Sequence, residues 1–345
     1  MKRIVFRADA GKENGTGDLL SFVYLADYFK GWSRYFIVKD TPAARKILRK
    51  YSFGNIKYLK PGIGFNEEIK SINDFIRSNR IEAFFVEIAR EKLSGYSGVT
   101  APYKACVDFS GEAPPGFDLV INWDLESSNV YKQRGFPHTR FLLGPQYTLL
   151  RKEIIERANA LKKISRRRVK AKNILIFFGG YDEFDFTLKA AMALEDMKYH
   201  FNVRLILGAG YPFIEQLKDF LKSAKFCSFR IYENVVDMTK QYCWADEVVV
   251  SGGLTLFEAM ALKKPVIAVA TYKHQIKRCD IFSKKGIIKF LGFREFKRDI
   301  FRKNIMNCVF YTYSLRFRSL EIPEIVNDRL REKSVLNISK RRVYR

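Results

Sequence analysis

Short runs of β-branched and aromatic residues, each followed by a longer amphipathic stretch, recur along the chain, and the series begins twice. In the first half Ile4 to Phe6 leads into a helical pattern over Leu19 to Phe29, and Tyr35 to Val38 into one over Ala43 to Tyr51. Further apolar runs stand at Ala83 to Ile88 and Leu119 to Ile121. At residue 173 the pattern restarts with Ile174 to Phe178, a helical stretch over Thr187 to Met197, and strands at Val203 to Leu207, Val248 to Val250 and Val266 to Val269. Strand runs that alternate with helices are the pattern of βαβ units, which form a parallel sheet covered by helices on both faces. Two such series predict two doubly wound α/β domains, and 345 residues is enough chain for two domains of ordinary size.

The expected partition is a first domain over 1–156, a basic linker over 157–172, a second domain over 173–300 and a helical, basic tail over 301–345. The linker holds eight Lys or Arg, including Arg166-Arg167-Arg168, and no acid, which reads either as a solvated linker or helix end, or as a surface for anions. Over the whole chain 62 Lys and Arg against 37 Asp and Glu leave a formal charge of +25. Such a charge attracts polyanions, anionic membrane surfaces and phosphorylated ligands without specifying a fold. The chain has no zinc finger, no aromatic strand of the RNA-binding kind and no basic heptad repeat, so nucleic acid is not the expected partner.

The five cysteines are far apart and never in a CxxC pair, so neither a disulfide framework nor a zinc site is expected, and a reducing cytoplasm fits best. None of His138, His200 and His274 has a second His or a Cys at metal spacing, and no metal or cofactor is expected. His200, within Lys198-Tyr199-His200-Phe201, reads as the end of a helix. The apolar stretch Ile4 to Phe6 is too short for a secretory h-region, and no run approaches the roughly 18 apolar residues of a membrane span. Membrane contact, if made, would be peripheral to the inner face.

Ligands of an open parallel sheet gather at the carboxyl ends of the strands, where loops feed helix N-termini. Four such loops stand out. Gly11 to Asp18 follows the first strand; Gly15 and Gly17 let the backbone pass close to a ligand, and Asp18 is either a helix cap or a carboxylate placed as a general base. This loop matches neither GxGxxG nor a P-loop, so dinucleotide and ATP binding are not supported. In Phe178-Gly179-Gly180-Tyr181-Asp182 the two glycines suit either tight strand-to-helix packing or a backbone approach to phosphate. Ser251-Gly252-Gly253-Leu254-Thr255-Leu256-Phe257-Glu258 follows an all-apolar strand. Its amides and the Thr255 hydroxyl can hold a diphosphate and Glu258 can accept from ribose hydroxyls, the alternative being a glycine-rich turn with a surface Glu. Lastly, Thr271 to Gln275 carries Gln275, whose amide both donates to and accepts from sugar hydroxyls.

Taken in order, Arg7-Ala8-Asp9-Ala10, Gly15-Thr16-Gly17, Leu143-Gly144-Pro145-Gln146-Tyr147-Thr148-Leu149-Leu150-Arg151, Phe178 to Asp182 and Ser251 to Glu258 resemble PseG, the UDP-sugar hydrolase family of pseudaminic acid biosynthesis, which is related to SpsG and more distantly to MurG. The resemblance implies a GT-B architecture, two Rossmann-like domains facing a cleft, with the nucleotide held by the second half. It would set Asn234 to Met238, with Val236, against uracil; Gly252, Gly253, Leu254 and Thr255 on the diphosphate; Glu258 on the ribose; and Gln275 on the sugar. The family has Ser where this chain has Leu254, and His where it has Asp18. That histidine handles the attacking water, so its loss leaves donor binding with an altered activation of the nucleophile, for which Asp18 is the candidate base. The resulting expectation is an enzyme that cleaves the anomeric C–O bond of a UDP-linked acetamido sugar. The acceptor is water, or a glycan or lipid-linked acceptor in a glycosyltransferase proper; a catalytically silent nucleotide-sugar-binding protein is the alternative from another class.

Overall fold

Each half of the chain folds around its own sheet of parallel strands. The structure, a computed structural model, describes all residues except 12–14, 89–92, 112–115, 130, 132–135, 137, 162–165, 170–171, 234, 236, 307, 312–315 and 344–345, with backbone alone at 166–169, 306, 308–311 and 335–343. Contacts divide it into one unit of Met1–Lys152 with Phe317–Arg345 and a second of Glu153–Arg316.

In the first unit β1 (Arg3–Ala8), α1 (Gly17–Tyr28), β2 (Ser33–Lys39), α2 (Pro42–Lys50), β3 (Ile56–Leu59), α3 (Phe65–Ser78), β4 (Ala83–Glu87), β5 (Tyr103–Val107), β6 (Leu119–Asn122) and β7 (Arg140–Leu143) follow one another. The sheet order is β3-β2-β1-β4-β5-β6-β7. The chain therefore steps outward from β1 to β3, then crosses to the other side of β1 and continues outward from β4. Every residue of β4 and β6 is buried, as strands covered on both faces must be. Phe6, Phe22, Phe29 and Phe85 pack around the join of β1, β4 and α1, with ring centroids 5.5 to 6.3 Å apart. α2 opens with Pro42 in its first turn, and the Thr41 hydroxyl accepts from the Ala44 amide at 3.1 Å, so both N-terminal preferences of a helix are met.

The second unit contains α4 (Lys152–Ala160, whose first residue is counted with the first unit), β8 (Arg166–Val169), β9 (Asn173–Phe177), α5 (Phe186–Glu195), β10 (Asn202–Leu207), α6 (Ile214–Ser223), β11 (Ser228–Glu233), α7 (Met238–Trp244), β12 (Glu247–Ser251), α8 (Leu254–Ala261), β13 (Val266–Ala270), α9 (His274–Lys284), β14 (Lys289–Phe293), α10 (Arg298–Met306) and β15 (Cys308–Tyr311). Its main sheet runs β11-β10-β9-β12-β13-β14, and β8 pairs antiparallel with β15. Here the order reverses between β9 and β12. Ile176, Phe186, Leu194, Leu205, Val249, Phe301 and Ile305 belong to one buried core.

Three features depart from the sequence expectations. The basic run 157–172 is, where described, the end of α4, in keeping with the helix-end reading, followed by the strand β8, which neither reading included. The stretch 301–345 is not one tail: α10 stays with the second unit through the fully buried Phe301 and Ile305, whereas α11 (Ile322–Val343) packs on the first. An apolar face of Ile322, Ile325, Val326 and Leu330 drives that docking, and Lys333 Nζ lies 2.6 Å and Arg329 Nε 3.6 Å from the largely buried Asp118 carboxylate. His200 lies beyond α5 in the connection to β10, its Nδ1 2.8 Å from the Phe226 carbonyl oxygen. Among the described residues, no helix is long and apolar enough to cross a membrane.

Candidate functional site

In an open parallel sheet the crevice for ligand opens where the strand order reverses, because the loops on either side of that point turn toward opposite faces. In the second unit this point brings together the loop after β9 and the loop after β12: a Cβ on Gly179 would stand 3.7 Å from Ser251 Oγ. Gly253 holds the cap position of α8 and has no side chain to bind the amides of the first turn. Behind the turn, α9 presses close. A Cβ on Gly252 would fall 2.5 Å from Cys279 Sγ and 2.9 Å from Gln275 Cβ, so only glycine fits.

Gln275 is buried and orders the neighbouring loop. Its Oε1 accepts from the Thr271 amide at 2.9 Å, the Thr271 hydroxyl at 3.1 Å and the Tyr272 amide at 3.4 Å, while Nε2 lies toward Gly253, 3.5 Å from where a Cβ would be. The carboxamide oxygen thus serves the protein, and the amide nitrogen is the part directed to the glycine turn. Thr255 is also engaged, its hydroxyl 3.3 Å from both the Ser251 backbone oxygen and Ser251 Oγ. Glu258, one turn further along α8, is 2% exposed and accepts from the Tyr242 hydroxyl of α7 at 2.9 Å, which makes it a link between two helices rather than a surface Glu. Val236 lies outside the described residues. Gly253 and Leu254 are the partly exposed members of the turn.

The loop after β9 is arranged differently. A Cβ on Gly208 would fall 2.1 Å from the Gly179 carbonyl oxygen and 2.5 Å from that of Gly180, so the close backbone approach here is between two protein loops. α5 already carries its own anions. Asp182 Oδ1 accepts from the Phe186 amide at 2.9 Å, Oδ2 from the Thr187 amide at 2.8 Å, and Asp185 from the Leu188 amide at 3.4 Å. Burial pushes the Asp182 carboxyl up to about 6, against the opposing pull of the amides of Thr187 and Phe186. Of the two helix starts at this crevice, α8 is the one without a carboxylate of its own at its cap.

In the first unit the order reverses between β1 and β4, and the Gly11–Gly17 loop leaves β1 at that point. Gly15 takes φ +73° and its carbonyl accepts from the Gly11 amide at 2.9 Å, closing the loop. Thr16, not Asp18, occupies the cap position of α1; Asp18 is the second helical residue, partly exposed, where the helix dipole favours a carboxylate. A Cβ on Gly17 would meet nothing within 4 Å. Two features here had no spacing signal in the sequence. Glu87, the buried last residue of β4, accepts from the Ser21 hydroxyl of α1, and Ser21 Oγ is also 2.7 Å from the Asp18 carbonyl oxygen. Arg7, fully buried in β1, bonds both Asp9 oxygens, and its Nε donates to Glu68 Oε1 at 2.7 Å. Burial works against its charge, but Asp9 foremost, with Tyr96 and Glu68, holds the guanidinium above its ordinary value. In the second unit, the sequence also gave no signal for Arg278, which is 7% exposed, with Nη1 3.4 Å from the Gly252 carbonyl oxygen and its guanidinium 5.1 Å from the Phe257 ring centroid. Among the described residues no group of three or more His, Cys, Asp or Glu could hold a metal ion.

No family model matches the chain. It is 25% identical over 289 residues, 80% of its length, to the uncharacterized protein MJ1062 of Methanocaldococcus jannaschii, and 27% identical over 205 residues, 58% of its length, to the spore coat polysaccharide biosynthesis protein SpsG of Bacillus subtilis. It spans 57% of the length of each of these curated relatives. Among solved structures, MurG of Acinetobacter baumannii superposes with a TM-score of 0.59 at 13% identity, covering 88% of this chain and 89% of that one. The UDP-GlcNAc 2-epimerase of Neisseria meningitidis, bound to UDP-GlcNAc, gives 0.56 at 12% identity over 96% and 100% of the two chains. The fold, two parallel-sheet α/β units of seven and six strands, is of the GT-B type.

Proposed function

We propose that the protein is a nucleotide-sugar-using enzyme of glycan biosynthesis that cleaves the anomeric C–O bond of a UDP-linked acetamido sugar, in the manner of PseG, and passes the sugar to water or to an acceptor glycan. The observation that carries this reading is the start of α8. A helix end without a side-chain cap, approached through Gly252-Gly253 at the reversal of strand order, offers its amides to a diphosphate. Gly252, Gly253, Leu254 and Thr255 form the phosphate turn, with Arg278 and Gln275 packed behind it. Glu258 holds α8 in place through Tyr242. Gly179 and Gly180 line the other side of the crevice.

The first unit supplies the acceptor side of this reading: Asp18 takes the proton of the attacking hydroxyl, and Gly15 and Gly17 shape the loop that leads into α1. A carboxylate can do this when the hydroxyl comes within hydrogen-bond reach. The amides of α8 stabilise the charge that develops on the departing diphosphate, so no metal is invoked. The relatives give general support: SpsG is named for polysaccharide biosynthesis, and the epimerase structure holds UDP-GlcNAc. Lipid-linked acceptors and a peripheral contact with an anionic membrane would suit the charge of +25.

The test is a panel of UDP- and CMP-sugars, with and without acceptor glycans, in which nucleotide release is followed. UDP formed without acceptor identifies a hydrolase, and UDP formed only with acceptor identifies a transferase. UDP binding with no release from any donor would replace the enzyme by a silent binder. If no nucleotide binds, the reading fails altogether.

A further inference from the structure

The carboxyl edge of the second unit carries an arginine that the reaction proposed above does not use. Arg294 follows β14 immediately, after an irregularity in the pairing of β13 with β14, where the register shifts between Ala268 and Ala270 and Gly292 takes φ +127°. Arg294 itself takes φ +52°, a conformation that a long side chain rarely adopts. Irregularities of this kind re-aim a side chain at the end of a strand, and strained residues collect at functional edges.

The guanidinium is fixed from three sides. Its Nε donates to the Thr271 carbonyl at 3.2 Å, and its carbon lies 4.8 Å from the Phe184 ring centroid and 5.1 Å from that of Phe293. The backbone is pinned as well, the Arg294 amide donating to the Ala270 carbonyl at 2.9 Å. The residue is nonetheless exposed, and among the described residues its terminal nitrogens pair with no carboxylate. The adjacent Glu295 pairs with Lys297 at 3.3 Å. A guanidinium held by one hydrogen bond and two ring contacts, on an exposed residue, can meet a carboxylate in bidentate geometry at little cost in side-chain entropy. Position supplies the rest: Arg294 bonds the carbonyl of Thr271, Gln275 bonds the amide of Thr271, and the Gln275 nitrogen reaches toward Gly253. Arg294 is thus connected through Thr271 and Gln275 to the glycine turn at the start of α8.

We propose that Arg294 is a specificity residue that binds the carboxylate of an acidic sugar on the nucleotide-linked substrate. This rests on the nucleotide-sugar reading, and the experiment separates the two. Calorimetric titration of the full chain compares UDP, UDP-glucose and UDP-glucuronate. In parallel, modification of Arg294 by phenylglyoxal is mapped by mass spectrometry in the presence of free glucuronate, glucose or inorganic phosphate. The wild type should bind UDP-glucuronate at least about tenfold more tightly than UDP-glucose, and Arg294→Lys and Arg294→Met should erase that preference without moving the melting midpoint. Glucuronate should protect Arg294, and glucose should not. Equal affinity for the two sugar nucleotides overturns the proposal, as does protection by phosphate without protection by glucuronate. Should no nucleotide bind, the functional reading falls while protection by glucuronate still decides for Arg294, and its absence decides against.

Discussion

Gly252→Ala adds one methyl group where α9 leaves no space. The new carbon would sit 2.5 Å from Cys279 Sγ, 2.9 Å from Gln275 Cβ and 3.3 Å from Gln275 Oε1, whereas non-bonded carbons settle at about 3.5–4.0 Å. Gln275 cannot swing aside without giving up its bonds to the Thr271 amide and hydroxyl, and Cys279 is fully buried, so α9 itself must shift by roughly 1 Å. Overpacking of this kind costs about 1–3 kcal/mol, less about 0.4–1 kcal/mol recovered because alanine restricts the unfolded chain. A net loss of about 1–2 kcal/mol in the second unit is expected. On the proposed reading, UDP affinity should fall about tenfold or more, because the displaced helix carries the turn with it.

Thermal melting followed by circular dichroism gives the first quantity and calorimetric titration with UDP the second. Cys279→Ala in the Gly252→Ala background removes the nearest clash but not the contact with Gln275 Cβ. The double variant should therefore recover part of the loss, with a coupling of at least about 0.5 kcal/mol. A Gly252→Ala protein with unchanged melting midpoint and unchanged UDP affinity would refute the packing of α9 against the turn.

Three further outcomes are expected. Gly17→Ala projects into open space, so stability should stay within about 0.5 kcal/mol of wild type while, on the proposed reading, turnover of the UDP-sugar drops; unchanged turnover would remove Gly17 from the substrate path. Asp182 titrates near 6 in the folded chain against an ordinary 3.8, so the native state binds its proton first and stability from this group falls as pH rises through that window. Relative to Asp182→Asn, wild type should gain up to about 3 kcal/mol between pH 7 and pH 4 in urea titrations, and parallel pH profiles would contradict the burial of this carboxyl. Arg7→Met leaves Asp9 and Glu68 buried beside an apolar chain and should cost the first unit about 3–5 kcal/mol; a melting midpoint near that of wild type would show that water reaches the pair.

The alternation of strands and helices was legible because it is a local property. Burial on both faces demands unbroken apolar runs such as Val248 to Val250, and residues around them need only their near neighbours to declare a period. Strand ends were found to within a residue or two wherever the run was strongly apolar. The short strands β3, β5, β7 and β14 escaped notice because Lys, Arg or Gly interrupts them, and α3 because its polar face dominates its composition. The glycine-rich loops were readable for the same local reason, since only glycine tolerates a helix such as α9 pressed against the turn.

Tertiary structure alone decided which strands became neighbours, and hence that the loops after β9 and β12, and those after β1 and β4, stand at the reversals of strand order. It decided that Thr16 rather than Asp18 takes the cap of α1, that Glu258 is spent on Tyr242, and that α11 returns to the first unit. Glu87, Arg278 and Arg294 carried no signal in the sequence, and Arg7 only a place in a motif, because each owes its environment to partners on other elements: Ser21, Phe257, Phe184 and Glu68. A periodic pattern records which face of an element is apolar. It carries no record of what that face meets, and the charge, burial and aim of a side chain are set by what it meets.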